Sequence, residues 1–308
     1  MLIVIALGGN ALLQRGEPLE AETQRKNVRE ASKEIAKLAK QHQVVICHGN
    51  GPQVGLLALQ AEAYTQVKPY PLDVLDAETQ GMIGYLIQQE VDNAVGNQSV
   101  VTLLTQIIVD PNDPAFKNPS KPIGPVYSKE QAEKIAKERG WNVKEDGKYY
   151  RRVVPSPKPI NIVELVTIKA LIKTGHIVIC GGGGGIPVMK TEDHKLQGIE
   201  AVIDKDHTAS LIAEKLEAES LMILTDVKAV CENFGTPEEK QIKIASPEVL
   251  RKLDFPAGSM GPKILATCRF VEQTKHSAVI GRLTDIEDIM QGKAGTFIQA
   301  NADGITYY

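Results

Sequence analysis

Two short segments set lysines where they could meet phosphate. Val202-Ile203-Asp204-Lys205-Asp206 holds a lysine between carboxylates directly before a run with helical spacing, and Gly258-Ser259-Met260-Gly261-Pro262-Lys263 holds another at the start of a second such run. A lysine near a helix N-terminus opposes the helix dipole, a cost that binding an anion there offsets. Three glycine loops offer the complementary donors: Gly8-Gly9-Asn10, Gly49-Asn50-Gly51 and the run Gly181 to Gly185. Each follows a β-branched stretch, and in an open α/β sheet ligands bind outside the carboxyl ends of the strands, where glycine lets backbone N–H groups approach an anion. Pro52 suits a helix first turn, which puts Gly49-Asn50-Gly51 at a helix N-terminus. A lone glycine pair reads as a tight turn needing positive φ, whereas three loops at corresponding strand ends imply one shared anionic ligand. Fixed cations, oriented N–H groups and a means of holding Mg2+ are what phosphoryl transfer requires. Neither G-x-x-x-x-G-K-[ST] nor a strand-anchored G-x-G-x-x-G occurs, which removes the main support for a P-loop or an ordinary dinucleotide-binding reading.

The elements that must position these residues alternate as strand, glycine loop and helix, the pattern of a parallel sheet covered by helices. Strands are expected over 2–7, 43–47, 100–104, 176–180, 221–224 and 277–280. Val28, Ala31, Ile35, Leu38 and Ala39 recur at helical spacing and predict an amphipathic helix over 21–40. Further helices are expected over 52–66, 77–94, 161–174, 207–217, 247–253, 262–275 and 284–291. The alternation breaks over 110–159, where prolines stand at 111, 114, 119, 122, 125, 155, 157 and 159 around one short helix and Trp141. A structureless loop of that length is unusual inside a domain, so the segment reads as a small inserted subdomain or lid, with a purely decorative insertion as the alternative.

The 308 residues include 35 Lys and Arg against 38 Asp and Glu, a formal charge of -3, with 43% hydrophobic and 24% charged residues. That composition is globular and carries no basic block, which argues against nucleic acid as a partner. No apolar stretch approaches the roughly 18 residues of a membrane span, and Leu2 to Leu7 reads as a core strand rather than a secretory leader, so a cytoplasmic location without membrane attachment is expected. Cys47, Cys180, Cys231 and Cys268 are widely spaced and form no C-x-x-C pair, which fits free thiols.

Taken in order, the motifs resemble the carbamate kinases of the amino acid kinase superfamily. The resemblance runs nearly end to end. It passes through Ala6-Leu7-Gly8-Gly9-Asn10-Ala11-Leu12, His48-Gly49-Asn50-Gly51-Pro52-Gln53-Val54-Gly55 and Gln80-Gly81-Met82-Ile83-Gly84-Tyr85. It continues through Asp113 to Phe116, Lys121 to Pro125, Arg151 to Pro157, Gly182 to Pro187, Ala201 to Asp206, Leu224-Thr225-Asp226 and Gly258 to Lys263. It implies an α/β fold, a three-layer αβα sandwich around a mainly parallel sheet with a small protruding subdomain at 110–159. It also implies a single kinase-type domain with a carbamate lobe over about 1–215 and a nucleotide lobe over about 216–308, a homodimer, and reversible phosphoryl transfer between Mg-ATP and carbamate giving ADP and carbamoyl phosphate.

Carried over by motif, Gly8, Gly9, Asn10, Gly49, Asn50 and Gly51 surround the carbamate and the transferring group. The resemblance implies that Lys205 and Lys263 hold nucleotide phosphates, that Asp206 organises the lysines, and that Thr225, Asp226 and Met260 lie beside the adenosine end. Many members of the superfamily carry a lysine in the first glycine loop; Leu7-Gly8-Gly9-Asn10 has none, and the resemblance implies that Lys121 of the insertion supplies the missing charge. Carbamate brings its own anionic oxygen, so no general base is needed and His48 is expected to be structural. This sequence departs from the pattern at His207-Thr208-Ala209 and at Lys228-Ala229-Val230-Cys231, the second of which bears on base recognition. Two other readings stay open on residues alone: a kinase of the same fold acting on another small carboxylate, and a non-catalytic metabolite-binding protein.

Overall fold

Leu2–Leu7 is apolar without interruption because it is buried on both faces, as a central parallel strand must be. The computed structural model, which describes residues 1–14, 16–256 and 258–308 with only the backbone at Asn10, pairs it in parallel with Gln43–His48 on one side and Ser220–Thr225 on the other. The sheet runs outward through Ile177–Ile179 to an edge at Val100–Thr102, both parallel. On the other side it runs through Ser277–Arg282, the antiparallel Thr296–Ile298, Lys240–Ala245 and Cys231–Glu232.

The α-helices are α1 (Ala21–Ala39), α2 (Gly51–Ala63), α3 (Leu72–Val95), α4 (Lys129–Arg139), α5 (Leu165–Lys173), α6 (Lys205–Lys215), α7 (Pro247–Leu250), α8 (Met260–Thr274) and α9 (Ile286–Met290). Ile3, Ile5 and Leu7 pack with Val28 and Ile35 of α1, Ile83 and Ile87 of α3, and Ile289 of α9. Val4 and Ala6 point the other way, into a core shared with Ile168 of α5, Ile212 of α6 and Phe270 of α8. The period of two along one strand thus divides the helices into two layers and makes the three-layer αβα sandwich.

Region 110–159 holds more regular structure than its prolines suggest. Lys121–Tyr127, Tyr149–Val154 and Val143–Asp146 form a three-stranded antiparallel sheet. Pro122 and Pro125 disguise the first of these as loop, but it lies at the sheet edge, where a missing N–H is tolerated. The expected short helix is α4, opened by a capping box in which Ser128 N–H donates to Gln131 Oε1 at 2.9 Å and Gln131 N–H to Ser128 Oγ at 3.3 Å. This region rests on α2: Gly55 and Gly124 cross so closely that a Cβ on Gly55 would lie 1.9 Å from Gly124 Cα.

Other expectations shift at their ends. The helix expected over 77–94 begins at Leu72, behind Pro71; the one over 161–174 begins at Leu165, after the short strand Asn161–Ile162; and the one over 207–217 begins at Lys205. A further four-stranded sheet, Leu196–Gly198, Ile186–Lys190, Gln106–Ile108 and Asn161–Ile162, has strands too short to stand out in the sequence.

Candidate active site

The carboxyl ends of the central strands carry the first two glycine loops side by side. Leu7 pairs in register with both His48 and Leu224, and Gly8 N–H continues the ladder by donating to Leu224 O at 2.8 Å. A Cβ on Gly8 would lie 2.9 Å from that carbonyl, so this glycine is required for the chain to leave the strand. Gly9 is exposed, with nothing among the described residues within 4 Å of a Cβ placed there. The side chain of Asn10 lies outside the described residues. Gly51 opens α2 with Pro52 behind it, so the Gly49–Gly51 loop sits at a helix N-terminus as expected.

The charged cluster comes from three separate parts of the chain. Asp204 is the N-cap of α6, its Oδ1 accepting from the N–H groups of Asp206 at 2.9 Å and His207 at 3.3 Å. Its other oxygen accepts from Lys121 Nζ at 2.5 Å, which ties the insertion to the α6 N-terminus. Asp206, 3% exposed at its side chain, is ion-paired with Lys205 through Oδ1 and with Lys263 of α8 through Oδ2, the latter at 3.3 Å. Lys263 also donates to Ser259 O at 3.2 Å, in the turn before α8. The stem of Lys205 crosses the second loop, with Cδ 3.3 Å from where a Cβ on Gly49 would stand. Lys121, Lys205, Lys263, Asp204, Asp206 and Gly49 therefore form one connected group, flanked by the positive ends of α2, α6 and α8.

Its electrostatics follow from burial and pairing. Burial works to raise Asp204 and Asp206, but the lysines outweigh it: Lys121, His207 and Lys205 hold Asp204 far below the usual carboxylate range, and Lys205 and Lys263 keep Asp206 low. Both aspartates are ionised. Burial lowers Lys205, with Lys263 adding to the effect and Asp206 opposing it. Three ammonium groups against two carboxylates leave one net positive charge in a partly buried setting, where an anion is attracted more strongly than in bulk water. His48 is buried and burial lowers it to about 4, so its ring is neutral at pH 7; Nδ1 lies 3.0 Å from Gly49 O, which fits a loop-orienting role.

Thr225 and Asp226 close the Ser220–Thr225 strand beside Gly8, with Thr225 Oγ1 donating to Asp226 Oδ1 at 3.0 Å, and Met260 is the first residue of α8. The Asn50 side chain is turned inward, Nδ2 donating to Asp76 Oδ1 at 2.7 Å and Thr79 Oγ1 at 2.9 Å. The third glycine loop differs from the other two. Gly181 to Gly185 are all buried, and Cβ atoms on Gly182 and Gly183 would lie 2.3 Å from His48 Nε2 and Asn50 Nδ2 respectively. That run is a packing surface behind the Gly49 loop, and its glycines meet protein instead of ligand. Cys47 and Cys180 are buried together, and Cys180 is pushed well above the usual thiol range by its Cys47 neighbour and by burial, which makes it inert. Asp204 was missed as a site residue, although an aspartate just ahead of a helical run is an N-cap signal. The described residues hold no group of three or more His, Cys, Asp or Glu suited to a metal ion, so they do not fit a metal cage built by protein alone. No helix of the described residues is long and apolar enough to cross a membrane.

An α/β sheet with lysines and helix N-termini gathered at its strand ends is suited to holding phosphate groups. The model of the amino acid kinase family matches residues 1–282. The carbamate kinase of Haemophilus influenzae is 59% identical over the full length of both chains, and that of Escherichia coli K12 is 51% identical over 96% of this chain and 98% of the other. Among solved structures, carbamate kinase from Giardia lamblia bound to AMP-PNP superposes with a TM-score of 0.87 at 43% identity, covering 97% of this chain and 98% of that one. The chain belongs to the amino acid kinase family and, within it, to the carbamate kinase family.

Proposed function

We propose that this enzyme is a carbamate kinase, transferring a phosphoryl group reversibly between ATP and carbamate to give ADP and carbamoyl phosphate. The observation that carries the reading is the joining of Lys121, Lys205 and Lys263 through Asp204 and Asp206 beside the Gly8 and Gly49 loops. Lys205 and Lys263 serve the nucleotide phosphates and the transferring group, with Asp206 keeping both ammonium groups aimed. Thr225, Asp226 and Met260 border the adenosine end. Gly8, Gly9, Asn10, Gly49, Asn50 and Gly51 line the carbamate end, where backbone N–H groups meet developing negative charge. The region 110–159 is a lid that brings Lys121 to that end, and excluding water suits an acceptor that decomposes in it. Carbamate attacks through its own anionic oxygen, so no side chain has to take a proton; a neutral, buried His48 accords with that. Mg2+ enters on the nucleotide phosphates.

The N-terminal lobe (about 1–215) and C-terminal lobe (about 216–308) divide the substrates between them. A two-fold pair in the cytoplasm completes the proposal. It is supported by the edge strand Val100–Thr102, on which α3 packs, and by exposed Met82, Tyr85 and Leu104 around it. Sedimentation at micromolar concentration showing only single chains would dismiss the pair. ADP release measured with ammonia and bicarbonate, beside the same assay with amino acids, tests the activity. Release with the first alone is expected; release with an amino acid points to another carboxylate acceptor, and release with neither points to a binding protein.

A further inference from the structure

Asp76 of α3 is fully buried, yet the reaction as proposed gives it no task. Its Oδ1 accepts from Asn50 Nδ2 at 2.7 Å; the second hydrogen of that amide goes to Thr79 Oγ1 at 2.9 Å, whose hydroxyl returns to the Asp76 backbone carbonyl at 2.8 Å. Both amide hydrogens of Asn50 are thus committed to α3, away from any ligand. The absence of a Cβ on Gly183 leaves the space this amide occupies.

The other oxygen, Oδ2, has no hydrogen-bond partner among the described residues. The charged groups that face Asp76 are both acidic: Asp73 on its own helix and Glu200 in the segment ahead of α6, where Glu200 Oε2 accepts from Leu72 N–H at 2.9 Å. An ionised carboxylate here would be stripped of water, held by one amide donor and repelled by two like charges, an arrangement that folded proteins avoid by keeping the proton. Burial, reinforced by Asp73 and Glu200 and opposed by the Asn50 bond, holds the Asp76 carboxyl well above the usual range.

We propose that Asp76 is a positioning residue for the carbamate loop: as a protonated acid it pegs the Asn50 side chain and so fixes the Gly49–Gly51 backbone that faces the acceptor. The assignment deepens the carbamate kinase reading and rests on it for the identity of the acceptor. The linkage has a definite sign. A carboxyl whose folded pKa is raised contributes stability at low pH that is lost as pH rises toward the folded value. Asp76→Asn removes that loss, because Asn keeps an acceptor toward Asn50 and places N–H where the acid has O–H.

The test combines melting curves from pH 5 to 9 with steady-state kinetics in the direction carbamoyl phosphate plus ADP. The melting temperature of Asp76→Asn minus that of the unmodified protein is expected to grow as pH rises. Asp76→Asn should hold kcat/KM for carbamoyl phosphate within about threefold and flatten its alkaline decline, while Asp76→Ala should lower it by about tenfold or more with KM for ADP little changed. A pH-independent melting difference overturns the protonated acid. Kinetics of Asp76→Ala equal to the unmodified enzyme, or a loss in Asp76→Asn as large as in Asp76→Ala, overturn the positioning role. If Asp76→Ala does not fold, the Asp76→Asn measurements decide alone. An unmodified protein inactive with carbamoyl phosphate overturns the acceptor assignment, and the melting difference still reports the proton.

Discussion

The glycines at 8–9 and 49–51 and those at 181–185 look alike in sequence but stand in different surroundings. Around Gly9 and Gly51 a Cβ would find open space, and at Gly49 it would touch only the stem of Lys205; at 182–185 it would strike His48, Asn50, the Ile203 carbonyl and Ile107. At Gly9, Gly49 and Gly51 the missing Cβ leaves room beside the loops, whereas Gly8, against the Leu224 carbonyl, and the second set serve close protein packing; only the second set needs positive φ repeatedly, at Gly181, Gly183, Gly184 and Gly185. The buried run supports the loop that the open glycines expose.

Substitution can break that comparison. Gly183→Ala would place a Cβ 2.3 Å from Asn50 Nδ2 at a φ of +68°, and is expected to destabilise the protein by about 2–5 kcal/mol, read as a large fall in melting temperature. A wild-type melting curve would mean the run is not a packing surface. Lys205→Ala and Lys263→Ala act on chemistry and are expected to lower kcat about a hundredfold, equivalent to ~2.7 kcal/mol, with the fold intact. Near-normal turnover in either variant removes that lysine from the reaction.

Smaller effects sharpen the picture. The folded pKa of His48 is depressed to about 4, so the unfolded chain binds the extra proton first as pH falls below about 6.5, and stability declines from there toward pH 4. His48→Gln should reduce that slope in melting curves; an unchanged slope assigns it to other groups. Gly9→Ala, with nothing near its Cβ, should leave the melting temperature within about 0.5 kcal/mol equivalent of the unmodified protein. Any effect it has would then be on KM for the acceptor.

What was legible in the sequence follows from how each feature is encoded. Leu2–Leu7 and Ser220–Thr225 announce themselves because buried parallel strands are apolar throughout, and α1 because its buried residues recur at helical spacing. Lys205 and Lys263 were legible one by one because their helix starts are marked by local sequence; that Asp206 joins them was implied only by the family resemblance. The strand Lys121–Tyr127 was hidden by its prolines, and the pairing of Lys121 with Asp204 joins residues 83 apart that no local pattern connects. The packing role of Gly181 to Gly185 was likewise unreadable, since a glycine loop looks the same whether its neighbour is a phosphate or the His48 ring. Asp76 was silent for the same reason: a lone acidic residue in a helix reads as solvated until burial is known.

On the proposed reading, charge missing from the first glycine loop arrives on Lys121 of the 110–159 region, separately from Lys205 and Lys263 at the nucleotide end. Lys121→Ala, followed by steady-state kinetics with carbamoyl phosphate and by calorimetric titration with ADP, tests it most directly. The account predicts a loss of about tenfold or more in kcat/KM for carbamoyl phosphate with ADP affinity nearly unchanged. Equal losses in both would move Lys121 to the nucleotide end, and no loss in either would leave the insertion without a part in the reaction.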